Sequence, residues 1–154
     1  MNLAILDPGL ASQFVPDAWL DSAIESARLV AREKPRARRG PIESATWPVG
    51  PWSSAAGMAA SIRELDPAAG AALFGALRPR FARRCEVSGA ATERCEQEMR
   101  VTLERLGAPV VAARLTGRDA DPITDSQLEF ARLGPQVVHP GRAKIAALRR
   151  AVWP

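Results

Sequence analysis

The strongest constraint on the fold is an apolar stripe that keeps helical spacing from residue 81 to residue 106. Phe81, Cys85, Ser88, Thr92, Cys95, Met99, Leu103 and Leu106 are separated by steps of four, three, four, three, four, four and three. A helix turns once every ~3.6 residues, so this spacing puts the eight side chains on one face. A strand would send them to both faces of a sheet. The stripe is read as a long helix opening at Pro79. Gly89, in the triplet Ser88-Gly89-Ala90, is where it can bend or restart. Gly107 is expected to end it in the left-handed conformation that glycine adopts without strain.

Other helices are marked by their starts. In PDAWLDSAIESARLVAREK, Pro16 suits a first turn, where its missing N–H costs nothing. Leu20, Ile24, Ala27 and Ala31 then recur at helical spacing. Asp17, Asp21 and Glu25 come early and Arg28, Arg32 and Lys34 late, as the helix dipole favours. SSAAGMAASIREL reads as a small-residue helix from Ser53. Asp66-Pro67 supplies an N-cap and a first-turn proline for the next one. Thr124 with Gln127 makes a capping box, and Ile123 with Leu128 the accompanying hydrophobic staple. Gly134-Pro135 stops that helix. GPQVVHPG reads as a turn containing His139, and a final helix carries Ile145, Leu148 and Val152 on one face.

Two stretches do not read as helix. Residues 35–52, PRARRGPIESATWPVGPW, hold four prolines and two glycines, and are longer than a usual connection. They form a Pro/Trp/Arg-rich strap or linker. Residues 109–116, around Val110, Val111 and Leu115, allow either a short strand or a short helix.

Length and composition agree with a helical reading. A chain of 154 residues is the size of one domain. It can bury roughly 68–70% of its unfolded surface. It is 47% hydrophobic but only 5% aromatic, with no tyrosine. An apolar content dominated by Ala, Leu and Val favours close-packed helices over a β-sandwich. The expected fold is therefore all-α: one helical domain over 1–154, an irregular bundle of five to seven helices with the strap inside it. The N-terminus lacks the basic start of a signal peptide, and no apolar run approaches ~18 residues. The default expectation is a cytoplasmic protein without a membrane partner. Cys85 and Cys95 cannot bridge within one helix, because ten residues of helix hold them nearly three turns apart. They are expected to be buried structural thiols.

Most catalytic templates fail. The one histidine, His139, cannot supply a zinc site, and no serine sits in a G-x-S-x-G elbow. There is no phosphate-binding glycine loop of the G-x-x-x-x-G-K-[ST] or G-x-G-x-x-G kind. DADPITDSQLE spaces Asp119, Asp121 and Asp125 like a calcium loop. However, Ile123, Thr124 and Phe130 stand where an oxygen ligand, a glycine and a glutamate are needed. Glu86, Glu93, Glu96, Glu98 and Glu104 read as an outer face paired with arginines three and four residues away. No cofactor and no metal is expected, and the chain leans away from being an enzyme.

Two sets of residues remain as functional candidates. The net charge is +4, and of 21 basic residues only Lys34 and Lys144 are lysine. Arginine's planar fork suits phosphate and carboxylate. If the clusters converge, Arg80, Arg83, Arg84, Arg142, Lys144, Arg149 and Arg150 would form a nucleic-acid surface. The last four follow another helix in a loose helix-turn-helix outline, with a turn twice the usual length. The second set is Trp47, Trp52 and Trp153 with Arg36, Arg38 and Arg39. Trp and Arg are enriched at binding hot spots. The strap tryptophans either fold back onto the helices or anchor a partner, and Trp153 reads as a docking tail.

The leading expectation is a noncatalytic interaction or assembly protein, binding another protein or itself. The alternatives are a nucleic-acid-binding protein and, more weakly, an enzyme with a motif-less Glu/Arg site.

Overall fold

A computed structural model describes residues 7–35, 55–108 and 124–154. Among them the chain forms seven helices and no strand. These are α1 (Pro8–Ser12), α2 (Asp17–Arg32), α3 (Ala55–Glu64), α4 (Pro67–Val87), α5 (Thr92–Gly107), α6 (Asp125–Ala131) and α7 (Pro135–Val152). The all-α expectation holds, within the expected number of helices. The strap from residue 36 onward, the ambiguous 109–116 stretch and Ile123 of the staple lie outside the described residues.

The stripe from Phe81 to Leu106 is two helices, α4 and α5, joined by a reversal of the chain. Ser88 caps α4, Gly89 takes φ +87°, and α5 restarts at Thr92. The reversal turns around Ala90, equidistant in sequence from Cys85 and Cys95, and brings their Cα atoms to 6.3 Å. The two cysteines are therefore disulfide-bonded, and the expectation of free thiols is corrected. Distance along one helix excluded a bridge within that helix, but says nothing about a hairpin.

Prolines mark two further corrections. Pro79 does not open a helix: α4 starts at Pro67, where the Asp66 carboxylate accepts from the N–H groups of Ala68 and Ala69 at 3.0 and 3.2 Å. It then runs through Pro79, whose ring is exposed. GPQVVHPG is likewise not a turn. Gly134, at φ +95°, makes the reversal, and α7 begins at Pro135 and includes His139 and Pro140. Only Arg132, Leu133 and Gly134 connect α6 to α7. The capping box at α6 forms as expected. Thr124 N–H donates to Gln127 Oε1 at 2.9 Å, and Gln127 N–H to Thr124 Oγ1 at 3.2 Å.

The core lies in three clusters. Val15, Leu20 and Leu77 join α2 to α4 near α1. Ile24, Phe81 and the cystine join α2, α4 and α5, with Phe74 and Met99 packed against them. Ile62, Phe130, Val137, Val138 and Ile145 join α3, α6 and α7. Two glycines permit close approach. A Cβ on Gly141 would come within 2.6 Å of Ile62 Cγ2. One on Gly107 would stand 3.4 Å from the Ala146 backbone nitrogen. Gly107 is the last residue of α5 and is not left-handed, so its small size answers to α7 packing, not to a C-terminal cap.

Candidate functional site

Trp153 does dock, on its own chain. Its indole packs against Phe74 of α4, ring centroids 5.7 Å apart. Its Nε1–H donates to Glu96 Oε1 of α5 at 3.1 Å. That oxygen also accepts from Arg78 Nη2 at 2.6 Å, and the Arg78 guanidinium lies over the Phe74 ring at 5.1 Å. Arg149 Nη1 in turn donates to the Trp153 carbonyl at 3.3 Å. Phe74, Arg78, Glu96, Arg149 and Trp153 thus tie the C-terminal end of α7 to the α4–α5 hairpin. Beside them opens a cleft of about 270 Å³, lined by Thr92, Glu93, Glu96, Gln97, Arg100 and Trp153.

Two of the three basic candidates on α4, Arg80 and Arg84, bond within the chain. Arg80 donates to the Ser12 and Val15 carbonyls at 2.9 and 2.6 Å and to Asp17 Oδ1 at 2.8 Å. It closes the end of α1 and the start of α2 together. Its hydrogen bond holds the Asp17 carboxyl below the usual carboxylate range, against a smaller opposing effect of desolvation. Arg84 meets Asp21 through two contacts of 2.8 Å, a bidentate pair that raises the guanidinium's pKa. Arg83 between them is exposed.

The α7 candidates are divided among several neighbours. Lys144 Nζ donates to the Arg63 carbonyl at 2.7 Å and to Ile62 at 3.5 Å, closing the C-terminal end of α3. Arg149 binds Glu104 Oε1 of α5 through Nε and Nη2 at 3.1 and 2.9 Å. Burial lowers the pKa of Arg142, and its Nε is buried without a hydrogen-bond partner. Arg150 is exposed. Trp47, Trp52, Arg36, Arg38 and Arg39 lie outside the described residues.

Three features were not legible in the sequence. Glu98, assigned to an outer face, is buried between α2 and α5. Its Oε1 lies 3.8 Å from both Arg28 Nε and Arg94 Nε, beyond hydrogen-bond range. Glu104 and Glu96 pair with arginines of other helices as well as, for Glu104, with Arg100 four residues earlier. Glu33, at the end of α2, accepts from Ser126 Oγ at 2.7 Å and from Ser126 N–H at 3.3 Å. The point where the strap departs is thereby pinned to the first turn of α6. Such partners are set by tertiary placement and leave no spacing signal.

The groups with displaced titration, Asp17, Arg84 and Arg142, do not line the cleft. Among the described residues no group of three or more His, Cys, Asp or Glu is placed to hold a metal ion. None of their helices is long and apolar enough to cross a membrane. No protein-family model, no curated protein and no solved structure matches this chain.

Proposed function

We propose that this chain is a noncatalytic assembly component, a subunit or adaptor that binds another protein or a second copy of itself. The observation that carries the reading is the destination of the basic side chains. Arg78, Arg80, Arg84, Lys144 and Arg149 bind carboxylates and helix-end carbonyls of their own chain. A guanidinium committed in this way would have to break those bonds to neutralise a phosphate, which removes the gain from counterion release. The strap supplies the contact residues in this reading: Trp47 and Trp52 as aromatic anchors, with Arg36, Arg38 and Arg39 beside them. Its base is held by the Glu33–Ser126 bonds, and a fixed attachment lowers the ordering cost of binding. The Cys85–Cys95 disulfide weighs against the cytoplasmic address expected from the sequence, because such bonds form and persist chiefly in oxidising compartments.

One observation favours a second reading, a nucleic-acid-binding protein. The three-residue connection between α6 and α7 has the length of a helix-turn-helix turn. Gln136 and His139 are exposed on the first turns of α7, where such a protein reads base edges. Arg150, exposed farther along α7, would then meet phosphate, whereas Arg132 in the turn is paired with Glu129 at 2.7 Å.

Sedimentation velocity over a wide concentration range, with and without mixed-sequence duplex DNA and single-stranded RNA, tests the two. The expected result is protein association that survives moderate salt, is weakened in a Trp47→Ala/Trp52→Ala variant, and is indifferent to nucleic acid. A saturable nucleic-acid complex whose affinity falls steeply with salt would replace the assembly reading by the second one.

A further inference from the structure

We propose that the Cys85–Cys95 disulfide is kinetically locked: it closes by thiol–disulfide exchange while the α4–α5 turn is still uncovered, and the packed core then shields it from reductants. Cys85 is 0% exposed and Cys95 2%. Ile24 and Phe81 are buried with them, and Phe74, Ala90 and Met99 pack around that cluster. Reduction requires a thiolate to approach one sulfur directly. Here the sulfurs are covered by these side chains and by the Ala90 and Ala91 carbonyls, 3.5 and 3.2 Å from Cys85 Sγ, and an unpaired anion among them is heavily penalised.

The cover is α2, which carries Ile24. It is fastened by the bidentate Arg84–Asp21 pair, by Arg28 Nη2 donating to Ser88 Oγ at 3.1 Å, and by Thr102 Oγ1 donating to the Ala27 carbonyl at 3.3 Å. Before α2 docks, the two cysteines are already neighbours through a short local reversal, so bond formation does not need the rest of the fold. One cysteine thiolate attacks an oxidant disulfide, such as oxidised glutathione or a protein dithiol–disulfide oxidant, and expels one of its thiols. The other cysteine then attacks the mixed disulfide and releases the second thiol. The chain loses two protons and two electrons, and the oxidant is reduced to two thiols. Maturation therefore consumes one oxidising equivalent. After packing, the bond persists in surroundings that would reduce it in the unfolded chain.

The test uses the full chain, refolded in a glutathione redox buffer. Intact mass after iodoacetamide should show a species two hydrogens lighter than the reduced chain and without alkylation. Reduction by dithiothreitol in native buffer should be slower by at least roughly a thousandfold than in guanidinium, because it waits on opening of the core. It should also become independent of dithiothreitol concentration once the reductant outpaces reclosing. Two alkylated thiols after oxidative refolding would overturn the proposal. So would native-buffer reduction at a rate close to that of the unfolded chain.

Discussion

Gly141 lies so close to Ile62 that a single added carbon would sit 2.6 Å from Ile62 Cγ2. The contact joins α7 to α3 at the centre of the cluster formed with Phe130, Val137, Val138 and Ile145. Ile62 is buried and bounded by these neighbours, so it has little room to give way. Gly141→Ala gains helix propensity of about 1 kcal/mol. It also forces the two helices apart, and overpacking of this kind costs about 1–3 kcal/mol. The expected outcome is a net loss of stability in urea unfolding. A stabilised single variant would contradict the close approach.

Arg80 holds together the end of α1 and the start of α2. Arg80→Ala should cost about 1–2 kcal/mol, since three charge-assisted hydrogen bonds are lost but their acceptors regain water. The loss should be local. Amide exchange over residues 8–15 should speed up before the α4–α5 hairpin is affected.

The same arginine sets a pH dependence. The Asp17 carboxyl, hydrogen-bonded by Arg80, titrates below its unfolded value near 3.8. A depressed carboxylate contributes stability that is fully present above that unfolded value and is lost as pH falls through the lower folded one. Carboxyl carbon NMR should find Asp17 titrating below 3.8 in the native chain and returning towards it in Arg80→Met.

Thr124 is fully buried and bonds Gln127 in both directions. Thr124→Ala should destabilise by about 1 kcal/mol. Thr124→Ser keeps the cap oxygen and should recover most of the loss. Equal effects from both variants would assign the residue to packing, not to capping.

Cys85→Ala/Cys95→Ala removes a crosslink closing a loop of about ten residues, which is worth about 2–3 kcal/mol through the unfolded chain. Urea midpoints of the double variant and the oxidised parent measure the difference.

What the sequence made legible follows from how far each signal reaches along the chain. The α2 stripe at Leu20, Ile24 and Ala27 is buried as its period requires, because amphipathicity is a property of the helix itself. Asp66-Pro67 and Thr124–Gln127 are likewise local, and both caps form. The hairpin between α4 and α5 was hidden because Ser88 and Thr92, on either side of the reversal, happen to preserve the step of four. Periodicity does not register that the chain has turned round. Pro79 and Pro140 were misread for a related reason. Proline is costly inside a helix, but both rings face solvent. The arginines were least legible of all. A long side chain chooses its acceptor from whatever helix lies alongside, and nothing at Arg80 announces the Ser12 and Val15 carbonyls some 65 residues earlier.

Lys144 closing the end of α3 has a consequence for the order in which the molecule can be made. α3 is ten residues long, too short to hold itself in water. The buried side chains clustered with Ile62, and the ammonium that caps the Ile62 and Arg63 carbonyls, come from residues 130 to 145. As the nascent chain leaves the ribosome, α1, α2, α4 and α5 can assemble around their own contacts while α3 still lacks its buried partners. It must wait, tethered between finished neighbours, for α6 and α7 to emerge. A chain cut short before α7 would therefore lose two helices, one of them already synthesised.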